Sequence, residues 1–164
     1  MTSSFDDLLE ANRQYAQTHE GGFDGIARAG VLMVTCMDSR IEPLAMIGLK
    51  PGDAKILRNP GGRVTDQVLV AIVLGVSLLK VERVLVVEHT RCAMASSSES
   101  EVKGRIAEKS GTDASWMTIG VIEDQENTVR ADVNRVRSHP LVPDSVEVAG
   151  FIYDVDSGLM APVA

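Results

Sequence analysis

Residues 31–35 (VLMVT), 54–58 (AKILR) and 83–88 (RVLVVE) are short strand-like runs, each parted from the next by a segment long enough to cross a sheet. Runs of this length, bounded by turn residues and rich in Val, Ile and Leu, read as buried strands. Strands that alternate with helix-length connections pair in parallel through right-handed crossovers. A fourth run, 146–155, alternates in character and is turned back by Asp156-Ser157-Gly158. The expectation is an α/β fold, a mainly parallel sheet of about four to five strands flanked by helices.

The connecting segments carry their own signals. Residues 65–80 read as a helix with Thr65 as N-cap. Over 68–79 it is apolar nearly all round, so it should be covered on most sides, and a subunit interface is the expected cover. Residues 5–17 read as an amphipathic helix with Leu8, Leu9, Asn12 and Tyr15 near one face. Pro43 opens a short helix over 44–49. A Ser-rich stretch, 96–100, precedes a polar helix to Lys109, and 123–138 place Val129, Val133 and Val136 at helical spacing. Met33 and Met46 read as core filling, and Trp116 as a packing anchor. The expected organisation is one domain over 1–164, with a helical arm at about 5–20.

Charge and hydropathy exclude several roles. The net charge is −7 and no basic cluster exists, which argues against nucleic-acid and membrane-surface partners. The longest apolar run, 68–79, falls short of the roughly 20 residues that span a bilayer. Residues 1–20 are polar and acidic, without the apolar core or cleavage pattern of a signal peptide. The expected location is the reducing cytoplasm, where cysteines hold metals more often than they pair.

The chain has two cysteines, and each stands in metal-ligand spacing just past a strand-like run: Cys36-Met37-Asp38-Ser39-Arg40 and His89-Thr90-Arg91-Cys92. Open α/β sheets gather ligands at that end of their strands. Taken singly, each cysteine would pass for a buried hydrophobe. Together, two thiolates and a neutral imidazole cancel a divalent charge and favour zinc over magnesium or calcium. Three protein ligands leave a fourth position, as in catalytic zinc sites. An extended path past Cys36 would put residues 36, 38 and 40 on one side. A helical turn would bring His89 and Cys92 together. Asp38 then has two possible jobs: it fills the fourth position, or it accepts a hydrogen bond from metal-bound water. Arg40 decides between them by holding the carboxylate in a bidentate pair. Gly61 and Gly62 follow the second strand and are expected to line the pocket with backbone amides. His19 and His139 read as surface residues.

These residues bring a family into view. The chain resembles the β-class carbonic anhydrases, specifically their short bacterial members, over roughly residues 5–162. The resemblance rests on Cys36-x-Asp38-x-Arg40, Arg58-Asn59-Pro60-Gly61-Gly62 and His89-Thr90-x-Cys92. It implies one zinc ion per subunit held by Cys36, His89 and Cys92, with Asp38 and Arg40 as a dyad controlling the open position. Zinc-bound hydroxide would convert carbon dioxide to bicarbonate and a proton. It also implies a homodimer or homotetramer, with the N-terminal helix reaching over a partner subunit. Three positions depart from the family pattern: Ala93 where Gly is usual, Arg91 where Asp is frequent, and Pro60 where a small residue precedes the glycines. None removes a ligand. Two alternatives stay open, a related zinc hydrolase of carbon disulfide or carbonyl sulfide, and a zinc-binding protein with impaired turnover.

Overall fold

The computed structural model describes residues 4–22 and 24–164. Five strands form one sheet: β1 (Val31–Cys36), β2 (Ala54–Asn59), β3 (Arg83–His89), β4 (Glu147–Tyr153) and β5 (Met160–Pro162). Their order is β2-β1-β3-β4-β5. The first four run parallel, and β5 returns antiparallel along β4. β5 is a short edge strand, where Pro162 costs no ladder hydrogen bond. The fold expectation is met.

β1 and β3 are the buried strands that the sequence leads one to expect, whereas β2 lies at the sheet edge and is only partly buried. All six residues of β1 are buried. Leu32, Val34, Val84 and Val86 share one core with Val68, Leu69 and Ile72 of α2 (Asp66–Leu78) and Val129, Val133 and Val136 of α4 (Gln125–Arg137). Thr65 caps α2 by accepting the Val68 amide at 3.4 Å. Asp124 caps α4 through the Asn127 amide at 3.0 Å. α3 (Glu99–Ser110) starts on a capping box, in which Ser98 and Glu101 satisfy each other's backbone amides.

Among the described residues, the apolar faces of two helices stay uncovered within one chain. α1 (Asp6–Ala16) buries none of its residues, and Leu8, Leu9 and Tyr15 are exposed. α2 buries Val68, Leu69, Ile72 and Gly75 but exposes Val70, Leu74 and Leu78. Among the described residues, no helix is long and apolar enough to cross a membrane.

The local expectations meet three corrections. Trp116 is 76% exposed rather than a packing anchor. Its Nε1 donates to Asp113 O at 3.0 Å, across a turn in which Asp113 Oδ1 also accepts the Ser115 amide, so the ring belongs to a local surface turn. The helix expected over 44–49 is one tight turn, Ala45–Ile47, ended by Gly48 at φ 69°. The strand expected over 146–155 stops at Tyr153, because Asp154 O accepts the Gly158 amide and folds the chain back.

Candidate metal centre

In the strand order, the connection after β1 runs to β2 on one side and the connection after β3 runs to β4 on the other, so the chain leaves these two neighbouring strands in opposite directions. That switch point opens a crevice at the carboxyl ends of β1 and β3. Cys36 is the last residue of β1 and His89 the last of β3. Cys92 follows one turn later. The potential ligand atoms of Cys36, His89 and Cys92 all lie within 4.8 Å of one another, and all three residues are buried.

Their chemistry fits a metal ion. His89 Nδ1 lies 2.9 Å from Thr90 O. A carbonyl oxygen only accepts, so Nδ1 carries the proton and Nε2 presents a lone pair. Among the described residues, that buried Nε2 has no hydrogen-bond partner. Asp38 Oδ2 stands 3.8 Å from it. This is no ion pair, since burial lowers the imidazole's pKa and keeps it neutral. Two electron-pair donors therefore face each other, an arrangement that a cation stabilises. Burial also pushes the Cys92 thiol up to about 11. The thiol gives up its proton at neutral pH only when a cation compensates, which couples metal binding to proton release. Cys36 Sγ accepts the Gly61 amide at 3.3 Å, and both cysteines are free thiols.

The two ligand segments are built differently from the expected extended and helical paths. β1 ends at Cys36, and the chain then turns, because Asp38 Oδ1 accepts the Arg40 amide at 3.0 Å. Asp38 and Arg40 still meet: Arg40 Nε and Nη2 donate to the two carboxylate oxygens at 2.8 and 2.7 Å. These hydrogen bonds hold the Asp38 carboxyl well below the usual carboxylate range. Arg40 Nη2 also donates to Arg91 O at 3.2 Å, tying the dyad to the second segment. The His89–Cys92 segment is not helical, since Arg91 adopts a left-handed φ of 55°. The Arg91 side chain pairs with Asp156 at 2.5 Å. In this structure the carboxylate sits on Arg40.

Gly61 and Gly62 are both buried, with φ of 81° and 72°. Gly61 directs its amide at Cys36 Sγ, and Gly62 packs against the backbone of β1 and β3. Asn59 locks this loop, accepting the Arg63 amide at 2.8 Å and donating to Arg63 O at 2.7 Å. Ile41, Met46, Met94 and Tyr153 pack around the two cysteines. Of these, Ile41, Met94 and Tyr153 carry no distinguishing sequence signal, since only the fold brings them together.

The site also has a polar backing that sequence reasoning missed. Gln125 Nε2 donates to His89 O at 2.8 Å and reaches Glu88 Oε2 at 3.4 Å. Glu88 is fully buried, and among the described residues its Oε1 has no hydrogen-bond partner. Burial raises its carboxyl from an ordinary 4.5 to about 8, a rise that the nearby Arg63 cation moderates. A folded-state pKa above the unfolded one means that ionisation opposes folding: the penalty is absent below 4.5 and complete above about 8. Glu88→Gln is therefore expected to stabilise the metal-free protein by on the order of 3 kcal/mol at pH 9. The gain should shrink to near zero at pH 4.5, the ordinary carboxyl value. Urea unfolding at both values checks it, and an equal gain at each would show that charge is not the cause.

Residues 31–160 match the family profile described as carbonic anhydrase. The chain belongs to the β-carbonic anhydrase family. Within that family it is 29% identical over 158 residues to β-carbonic anhydrase 1 of Mycobacterium tuberculosis, covering 96% of each chain. The crystal structure of carbonic anhydrase from Streptococcus mutans matches it with a TM-score of 0.90 at 33% identity, covering 100% of this chain and 99% of that one. It is also 27% identical to a carbon disulfide hydrolase of Acidithiobacillus thiooxidans, over 87% of this chain and 76% of the relative. Its relatives thus include both a β-carbonic anhydrase and a protein named carbon disulfide hydrolase.

Proposed function

We propose that this β-carbonic anhydrase family member uses one zinc ion per subunit to catalyse the reversible reaction of carbon dioxide and water to bicarbonate and a proton. Cys36, His89 and Cys92 are assigned as ligands, Asp38 and Arg40 as the catalytic dyad. The observation that carries this reading is a buried Cys–His–Cys cluster within 4.8 Å, with an arginine-held carboxylate 3.8 Å from the imidazole nitrogen. Zinc, when bound, supplies Lewis acidity that makes a water-derived nucleophile available near neutral pH.

The side chains supply the rest. Asp38 is held ionised by Arg40 and therefore only accepts hydrogen bonds. From Oδ2 it fixes the orientation of the attacking water, leaving a lone pair free for carbon. Ile41, Met46, Met94 and Tyr153 offer apolar contact to a small linear substrate that gives little to hydrogen-bond. Gly61 and Gly62 shape the wall behind Cys36. The apolar surfaces of α1 and α2 support a homodimer or homotetramer of one-domain subunits. Two unpaired thiols suit the reducing cytoplasm.

Stopped-flow hydration on zinc-loaded protein tests the reading. Wild type is expected to exceed the buffer rate between about pH 7 and 9. Asp38→Asn should keep its zinc and lose about 100-fold in kcat/KM. No acceleration by wild type would overturn the assignment. The carbon disulfide hydrolase relative favours a second reading, hydrolysis of carbon disulfide with two waters to carbon dioxide and two hydrogen sulfides. Sulfide release without carbon dioxide hydration would select it.

A further inference from the structure

A parallel strand that turns away from its sheet leaves main-chain acceptors that something else must satisfy. β1 does this at Cys36, and the acceptors in question flank Met37. Arg58 of β2, in register with Thr35, reaches across to them. Its Nε donates to Cys36 O at 3.0 Å and its Nη2 to Asp38 O at 2.6 Å. One planar guanidinium thus spans two carbonyls two residues apart, a fork that an ammonium group cannot reproduce. The neighbouring amide of Met37 donates to Asn59 O at 3.0 Å, and Asp38 O takes a second donor from Ile41 at 3.2 Å. The segment between the metal ligand and the dyad carboxylate is held from β2 at each of its three residues.

We propose that Arg58 is a positioning residue: by gripping the main chain on both sides of Met37, it fixes Cys36 and Asp38 relative to each other. Arg58 acts on neither Sγ nor the carboxylate directly, but through the backbone that carries them. The geometry makes this grip matter. Asp38 Oδ2 is only 3.8 Å from His89 Nε2, so a small movement of the turn would carry the carboxylate into the ligand cluster. Arg40 holds the side chain of Asp38, and Arg58 holds its main chain. Removing Arg58 leaves Cys36 O without its side-chain donor and frees the turn to drift.

The test rests on the functional reading only in its activity arm. Cobalt(II) replaces zinc in wild type, Arg58→Met and Arg58→Lys, and the visible d–d spectrum reports the ligand geometry. Arg58→Met is expected to bind cobalt with an altered spectrum and, loaded with zinc, to hydrate carbon dioxide about tenfold more slowly. Arg58→Lys, with one charged donor in place of a fork, should recover part of both. A merely structural role would lower the unfolding midpoint while leaving the spectrum and rate of the folded protein unchanged, and that result would overturn the proposal. If Arg58→Met does not fold, Arg58→Gln takes its place, and a wild-type spectrum there is equally decisive against it. Should wild type hydrate no carbon dioxide while the spectra still differ, the functional reading fails and the positioning role stands.

Discussion

Cys92→Ser protein is expected to bind zinc at least about 100-fold more weakly than wild type and to hydrate carbon dioxide no faster than buffer. Serine keeps the size of the side chain, but a hydroxyl cannot ionise near neutral pH as a metal-bound thiol does. The site is buried, so no exposed side chain or bulk water substitutes freely for the lost ligand. Competition with a chromogenic chelator measures the affinity, and stopped-flow indicator changes measure the rate. Both effects should appear in a chain with unchanged far-ultraviolet circular dichroism, because the core of β1, β3, α2 and α4 does not include Cys92. Stoichiometric tight zinc in the variant would remove Cys92 from the ligand set.

The second large effect is on folding. Gly62 has a φ of 72°, and a Cβ there would stand 2.9 Å from both Cys36 N and Val87 O. Those atoms belong to sheet backbone, which cannot swing aside as a side-chain tip can. Gly62→Ala is expected to cost about 3 kcal/mol or more, through close contact and left-handed strain together. For a chain of this size that lowers the melting temperature by roughly 6–12 °C. Gly104 in α3 supplies the contrast, since no described residue lies within 4 Å of a Cβ built there. Gly104→Ala should leave stability unchanged or raise it by about 0.5–1 kcal/mol, as expected for an exposed helix interior. Thermal unfolding of the two variants side by side separates a tight backbone approach from a generic loss of glycine.

The sheet was legible because its strands are short apolar runs at strand length, and the position of Cys36 and His89 just past two of them located the crevice. Strand order was not read from the sequence, and β5, three residues ending in Pro162, has no apolar signature of its own. The metal cluster was legible from spacing, whereas the paths between its members were not. Alternation past Cys36 fails because the Asp38 carboxylate captures the Arg40 amide and turns the chain. A helical turn at His89–Cys92 fails because Arg91 goes left-handed. Both are side-chain-to-backbone or single-residue choices that a hydrophobic pattern cannot encode. The backing of Gln125 and Glu88 was hidden for another reason, since Gln125 reaches His89 O and Glu88 from far along the chain. Although Arg58 stood in a quoted motif, its grip on main-chain carbonyls had no signal in the pattern.

The imidazole of His89 owes its tautomer to the carbonyl of the very next residue. A carboxylate in that role could be erased by one codon change, but every amino acid at position 90 brings a carbonyl. Side-chain drift there can alter the Thr90 hydroxyl bond to Val155 while leaving the ring's proton where it is. The orientation of this nitrogen is thus insulated from mutation, and only a change in the local main-chain path can flip it.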